Sequence, residues 1–193
     1  MIHKHLATLF VLTGLAAGSA RAQVSCEPGQ NGVIPCPCAN NPSGSGRGCH
    51  NSLNTGGAAL SATGSPSLSA DNIQFHCTGI GTLSPSCSNP NGNVLCGLYE
   101  ATLPISTGTV WNDGVICCTG TFYPLNIQVS SAGVYHWPVP GTTAVSSTAI
   151  SMGDALGVGS TRYYFLAYRD TCPSFCTPNL RNKSNSWTLT WTP

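Results

Sequence analysis

Chemistry in this chain has to come from a small set of side chains: eleven cysteines, five histidines and six acids. The cysteines are Cys26, Cys36, Cys38, Cys49, Cys77, Cys87, Cys96, Cys117, Cys118, Cys172 and Cys176. In an oxidising compartment such residues form bridges, here at most five with one thiol left over. The same thiolates could hold zinc or copper, with Cys36, Cys38, Cys49 and His50 as the natural ligand set. Cys36 and Cys38 are closer together than the usual two-to-four-residue ligand spacing, so all eleven cysteines are read as disulfide candidates and no metal or other cofactor is expected. Cys36-Pro37-Cys38 and Cys117-Cys118 are neighbours expected to bond to different partners, because a direct bridge at either spacing would be strained. Cys172 to Cys176 could close a small local loop.

The remaining polar groups suggest no reaction. Paired-carboxylate hydrolysis needs two acids at a fixed separation, and nothing in the order of Glu27, Asp71, Glu100, Asp113, Asp154 and Asp170 brings two together. His50 and His76 each adjoin a cysteine, but neighbours on a strand face opposite ways. No Gly-x-Ser-x-Gly elbow is present. The chain is therefore read as non-enzymatic. Asn112 with Asp113, or Asp71 with Asn72, offers oxygen ligands suited to calcium; Asn-Asp-Gly is equally an ordinary turn. Gly44-Ser45-Gly46-Arg47-Gly48 lacks the flanking strand, helix and lysine of a phosphate cradle. Sugar recognition needs exposed aromatic faces beside polar groups, and Trp111, Tyr135, Trp137 and Tyr168 are the candidate glycan-binding residues. Trp187 and Trp191 share a strand face with Leu189 and are assigned to the core.

Positioning these residues outside the cell is the task of the first 22 residues. His3, Lys4 and His5 form a basic start, Leu6 to Ala17 an apolar run, and Ala20-Arg21-Ala22 a small-residue end, the three zones of a cleavable signal peptide. Cleavage is predicted after Ala22. The run is too short to span a bilayer, which takes about 20 apolar residues, and no membrane span is expected elsewhere. The chain beyond it carries five basic and six acidic residues, leaving no basic patch for a nucleic-acid backbone. Charged residues make up only 7% of the sequence, so Ser, Thr, Asn and Gly must solvate the surface.

Residues 23–57 are rich in Cys, Gly, Pro and Asn without apolar periodicity, and read as an irregular segment pinned by Cys26, Cys36, Cys38 and Cys49. From 58 to 193, short apolar runs alternate with turn residues. This predicts an all-β fold, a single antiparallel β-sandwich of jelly-roll type. Helix-length amphipathic windows are absent. Strands are expected at Ile73 to Cys77, Val94 to Leu103, Val115 to Cys118, Leu125 to Val129, Gly133 to Trp137, Tyr163 to Tyr168 and Ser186 to Trp191. The run Tyr163 to Tyr168 is apolar or aromatic throughout, as in a central strand covered on both faces. The last strand alternates, with Trp187, Leu189 and Trp191 inward and Ser186, Thr188 and Thr190 toward water. Turns are expected at Asn91-Gly92, Asp113-Gly114 and Pro140-Gly141.

Several stretches occur in a telling order: Cys36-Pro37-Cys38-Ala39-Asn40-Asn41, then Gly48-Cys49-His50-Asn51-Ser52 and Leu60-Ser61-Ala62-Thr63-Gly64-Ser65. Asn112-Asp113-Gly114-Val115-Ile116-Cys117 follows, then Gly159-Ser160-Thr161-Arg162-Tyr163-Tyr164 with Tyr168-Arg169-Asp170, and finally Asn185-Ser186-Trp187-Thr188-Leu189-Thr190-Trp191. Together they resemble a cysteine-rich secreted β module of bacteria with large extracellular proteomes, found alone or at the C-terminal end of larger exported proteins. The resemblance implies a secreted β-sandwich without an assigned activity. Cys118, Cys172 and Cys176 depart from that pattern, so no bridge pattern is implied. The expected role is a secreted, disulfide-stabilised structural or adhesion module. Its expected partners are an extracellular polysaccharide or envelope and matrix proteins. A carbohydrate-binding module is the alternative, and a secreted hydrolase comes third.

Overall fold

Among the described residues eight strands and one short helix follow one another, and their pairing explains where the aromatic residues go. The computed structural model describes residues 23–81, 93–170, 172, 175–176 and 180–193. The leader expected over 1–22, the Asn91-Gly92 turn and Cys87 lie outside the described residues. The elements are β1 (Gln23–Cys26), β2 (Ala59–Thr63), β3 (Gln74–Thr78), β4 (Leu95–Trp111), β5 (Gly114–Val129), β6 (Tyr135–Trp137), α1 (Val145–Ser151), β7 (Thr161–Arg169) and β8 (Arg181–Thr190). Two antiparallel sheets result, one of five strands in the order β1-β8-β7-β4-β5 and one of three in the order β2-β3-β6. The protein is all-β apart from α1.

Alternation along β4 and β7 sends side chains to two separate cores. Leu98, Tyr164, Leu166 and Tyr168 face inward and join Leu60, Phe75, Tyr135, Trp137, Leu189 and Trp191 in the core shared by both sheets. Ala101 and Phe165 face outward and form a second core with Ile116 and Cys118, flanked by Tyr99, Phe122, Tyr163 and Ala167. The central position expected for the Tyr163–Tyr168 run holds, since β7 is the third of five strands and is packed on both faces. The second core exists because β4 and β5 form one long hairpin whose register shifts at three places, bringing Trp111 back onto Phe122 and Phe165, 5.4 and 5.8 Å away between ring centroids. The hairpin closes through Asn112, at φ 59°, and Asp113, with Trp111 paired to Gly114, one residue before the expected Asp113-Gly114 turn.

The N-terminal segment is pinned as expected, though by a pattern spacing alone could not give. Cys26 bonds Cys117, Cys36 bonds Cys49 and Cys38 bonds Cys176, bridges of the kind formed in an oxidising setting. Cys36 and Cys38 do take different partners, whereas of Cys117 and Cys118 only the first is bridged. The Cys172–Cys176 loop is corrected, because Cys176 is taken by Cys38 while Cys172 is itself disulfide-bonded. A second correction concerns Cys77, Cys96 and Cys118, which are buried free thiols and not bridges. Cys117 and Cys118 point to opposite faces of β5, but only Cys117 is used as a staple.

Two further departures have local causes. The helix α1 was not expected; it is seven residues long and has no side-chain cap of its own. Asp71 supplies the cap from far along the chain, its Oδ2 accepting from the Ser146 N–H at 2.7 Å. On β8, Leu189 and Trp191 are buried as expected, but the other face is not wet: Ser186 is buried and Thr188 and Thr190 are half-buried. Upstream, Asn182, Lys183, Ser184 and Asn185 are all buried as well, Asn182 under the N-terminal segment, Ser184 against Leu166, Asn185 against Leu60 of β2 and Lys183 against Asn112 and Trp111.

Candidate functional site

The four residues proposed for sugar stacking do not form a row. Tyr135, Trp137 and Tyr168 are 0%, 5% and 2% exposed and belong to the shared core. The Tyr135 hydroxyl donates to Asn126 Oδ1 at 3.1 Å, and the Tyr168 hydroxyl accepts from Asn51 Nδ2 at 3.3 Å. Rings sealed in this way have no free face for a ligand, which corrects their assignment. Trp111 is the exception, at 37% exposure, with one side packed on Phe122 and Phe165 and the Lys183 ammonium 4.9 Å from its ring centroid.

The candidate metal ligands are largely spent on the fold. Cys36, Cys38 and Cys49 are bridged. His50 Nδ1 accepts from the Gly56 N–H at 3.1 Å, and its Nε2 lies 3.0 Å from Asn54 Oδ1. Asp71 Oδ1 accepts from the Ile73 N–H and Asn72 Oδ1 from the Ser65 N–H, at 3.0 and 2.6 Å. Among the described residues no group of three His, Cys, Asp or Glu side chains is arranged to hold a metal.

What sequence reasoning missed are two buried polar clusters. In the first, β4 and β7 pair Glu100 with Tyr164, and the Tyr164 hydroxyl donates to Glu100 Oε2 at 2.6 Å. Trp191 Nε1 donates to that same hydroxyl at 3.1 Å. Arg162 grips Asp154 with two bonds of 2.8 Å, a bidentate geometry of the strong kind. Glu100 Oε1 is 4.0 Å from Arg162 Nε and has no hydrogen-bond partner among the described residues. Burial, helped by the neighbouring Asp154 carboxylate, pushes Glu100 up to about 8, which favours its protonated form at neutral pH. Glu100 and Tyr164 are fully buried and Arg162 is half-buried, and the cluster fastens strands together.

The second cluster joins the N-terminal segment to β8 and to the β4–β5 turn. Asn182 Nδ2 donates to the Cys49 and His50 carbonyls at 3.3 and 3.0 Å, and Asn40 Nδ2 to those of His50 and Asp113 at 2.7 and 3.2 Å. Asp170 accepts from the Ser52 N–H at 3.1 Å and from its hydroxyl. Lys183 Nζ donates to Asn112 Oδ1 at 3.1 Å. Burial lowers Lys183 to about 8 and raises Asp113 to about 6. An unbroken polar run inside a strand, Asn182 to Ser186, was the sequence signal that something must cover it.

Beside this cluster a cleft of about 610 Å³ opens on the outer face of the five-stranded sheet, lined by Leu95, Gly97, Tyr99, Asn112, Ile127, Ala167, Arg169 and Arg181 among others. Gly97 and Ala167 are cross-strand partners whose small size makes its floor. A Cβ on Gly97 would come within 2.9 Å of the Tyr99 ring, so glycine is what lets that ring lean over the sheet. Tyr99 then stacks on Phe165 at 5.5 Å with 12° between planes.

The chain matches no protein-family model, no curated protein and no solved structure. Among the described residues, no helix is long and apolar enough to cross a membrane.

Proposed function

We propose that this protein is exported through a cleavable signal peptide and works outside the cell as a non-enzymatic structural or adhesion module, built as a single jelly-roll-like sandwich. The observation that carries this reading is where its ionisable groups are spent. Glu100, Asp113, Asp154, Asp170 and Lys183 are all at most 5% exposed and hold strands and segments together, whereas a reactive site needs acid, base or nucleophile groups converging in one open cleft. Three disulfides that pin the irregular segment, one to β5, one to the loop between β7 and β8 and one within itself, support the same reading, as does the resemblance to secreted bacterial β modules.

Expression of the tagged full chain in an exporting bacterium tests it. The expected result is protein in the medium or on the envelope, beginning at Gln23, with its bridged cysteines resistant to alkylation. Retention in the cytosol with reduced thiols would refute export. Saturable turnover of a substrate, lost in Glu100→Gln or Asp113→Asn, would refute the non-enzymatic role. Carbohydrate binding is the second reading, and the cleft over Gly97 and Ala167 is the feature that favours it.

A further inference from the structure

Charge is scarce in this molecule, which makes its placement informative. Of the five basic residues beyond the leader, Arg162 is paired with Asp154 and Arg47 donates to the carbonyls of Thr55 and Gly57 at 3.5 and 2.7 Å. The other three, Arg169, Arg181 and Lys183, gather at one end of β7 and β8. Arg169 and Arg181 are direct cross-strand partners, both exposed, both lining the cleft, and neither forms an ion pair among the described residues. Like charges directly opposite one another on a sheet are destabilising. The nearest carboxylates do not relieve them: Asp170 is turned to Ser52, and Asp113 accepts the Arg181 backbone N–H at 3.3 Å. Two guanidinium groups held open in this way suit carboxylate or sulfate oxygens, which they bind through paired N–H donors.

The rest of the cleft describes the body that carries the anion. Its floor is flat and small, its wall includes the Tyr99 ring, and Leu95 and Ile127 stand at its rim at 52% and 58% exposure. Asn112 adds an amide beside them. A pyranose ring fits that combination, with a C–H face against the aromatic and aliphatic groups and hydroxyls toward the amide. An extended acidic peptide would instead seek a free strand edge, whereas the two arginines stand on β7 and β8, both interior strands of the sheet.

We infer that the cleft between Tyr99, Asn112, Arg169 and Arg181 is a binding site for acidic carbohydrate, a polysaccharide whose sugar rings carry carboxylate or sulfate groups. The site rests on the adhesion reading above and gives it a surface and a ligand class. It differs from a stacking row of tryptophans, since Trp111 lies outside the lining and the specificity comes from the arginine pair.

The full-length mature protein is titrated calorimetrically with polygalacturonate, dextran sulfate, neutral dextran and poly-glutamate at low and at moderate salt. Binding to either anionic polysaccharide, weakened by salt, with none to dextran, supports the site and identifies the anion. Arg169→Gln with Arg181→Gln should weaken binding at least tenfold without lowering the melting temperature, because both side chains are exposed. Ala167→Phe, which fills the floor and leaves both arginines, should abolish binding in protein that still melts cooperatively. Unchanged binding in Ala167→Phe, or poly-glutamate bound as tightly as the polysaccharides, would overturn the site. Absence of any binding would also overturn it while leaving the adhesion reading intact, whereas cleavage of the bound polysaccharide would keep the site and sink the non-enzymatic reading.

Discussion

Glu100 is the residue on which the pH response of this fold turns. Its carboxyl ionises near 8 in the folded chain against an ordinary value of 4.5, so between those limits the folded protein holds a proton that the unfolded chain has released. Stability is then greatest on the acid side and falls as pH rises toward 8. Asp113, raised to about 6 from 3.8, acts in the same direction at lower pH. Lys183, lowered to about 8 from 10.5, acts oppositely above 8, where the unfolded chain holds the extra proton and stability is regained. Urea midpoints should therefore be higher at pH 5 than at pH 8 and stop falling above it. Glu100→Gln keeps an acceptor for the Tyr164 hydroxyl without a charge, so it should remove most of that slope and gain ~1 kcal/mol or more at pH 8. An unchanged slope would show that the proton sits elsewhere. None of this was legible in the sequence: Glu100, Asp154, Arg162 and Tyr164 meet only through the β4–β7 register and the loop after α1.

At the scale of elements, the aromatic strands were readable and the long hairpin was not. Tyr163 to Tyr168 and Trp187 to Trp191 announce themselves by composition and alternation, and Phe165→Ala or Leu189→Ala should each cost ~2 to 5 kcal/mol in chemical denaturation, both being fully buried. β4 and β5, by contrast, contain Pro104, Gly108, Gly120 and Pro124, which read as strand breaks. They are accommodated at or near the register shifts of the hairpin, where the ladder tolerates the missing N–H of a proline. The helix was hidden because its cap, Asp71, is remote, and the tryptophan and tyrosines chosen for sugar binding stood near turns in sequence but in the core in space. The irregular segment was recognised as pinned, but not as a lid on a polar strand. Gly48 shows how closely it lies: a Cβ there would overlap the Lys183 carbonyl oxygen. Gly48→Ala should lower stability by ~3 kcal/mol, whereas Gly157→Ala, whose Cβ would meet only the Ser160 hydroxyl at 4.0 Å, should change it by less than ~0.5 kcal/mol. Equal effects of the two would mean the segment is not seated on β8.

For the whole molecule, two kinds of sulfur coexist. Reduction of the native bridges should cost several kcal/mol, about 2 to 5 for each bridge in a secreted domain, and leave the shared aromatic core as the residual source of order. The buried thiols behave differently. Burial pushes Cys96 and Cys118 up to about 12 and Cys77 upward as well, so all three should resist alkylation in the native protein and react once it is unfolded without reductant. Peptide mapping checks this residue by residue; modification at Cys118 alone would reveal a bridge between Cys77 and Cys96, which lie in the same core and on opposite sheets. The bridge between Cys36 and Cys49 has one more effect. It spans the glycine-serine stretch Ser43 to Gly46, the place where a protease would cut most readily, and Cys26 and Cys38 anchor the upstream part to β5 and to the loop between β7 and β8. A nick there releases nothing: the cut ends stay tethered, and the damage appears only as a second band when the gel contains reductant. A protein exposed to the enzymes of its surroundings can thus be clipped at its softest point and go on holding its shape.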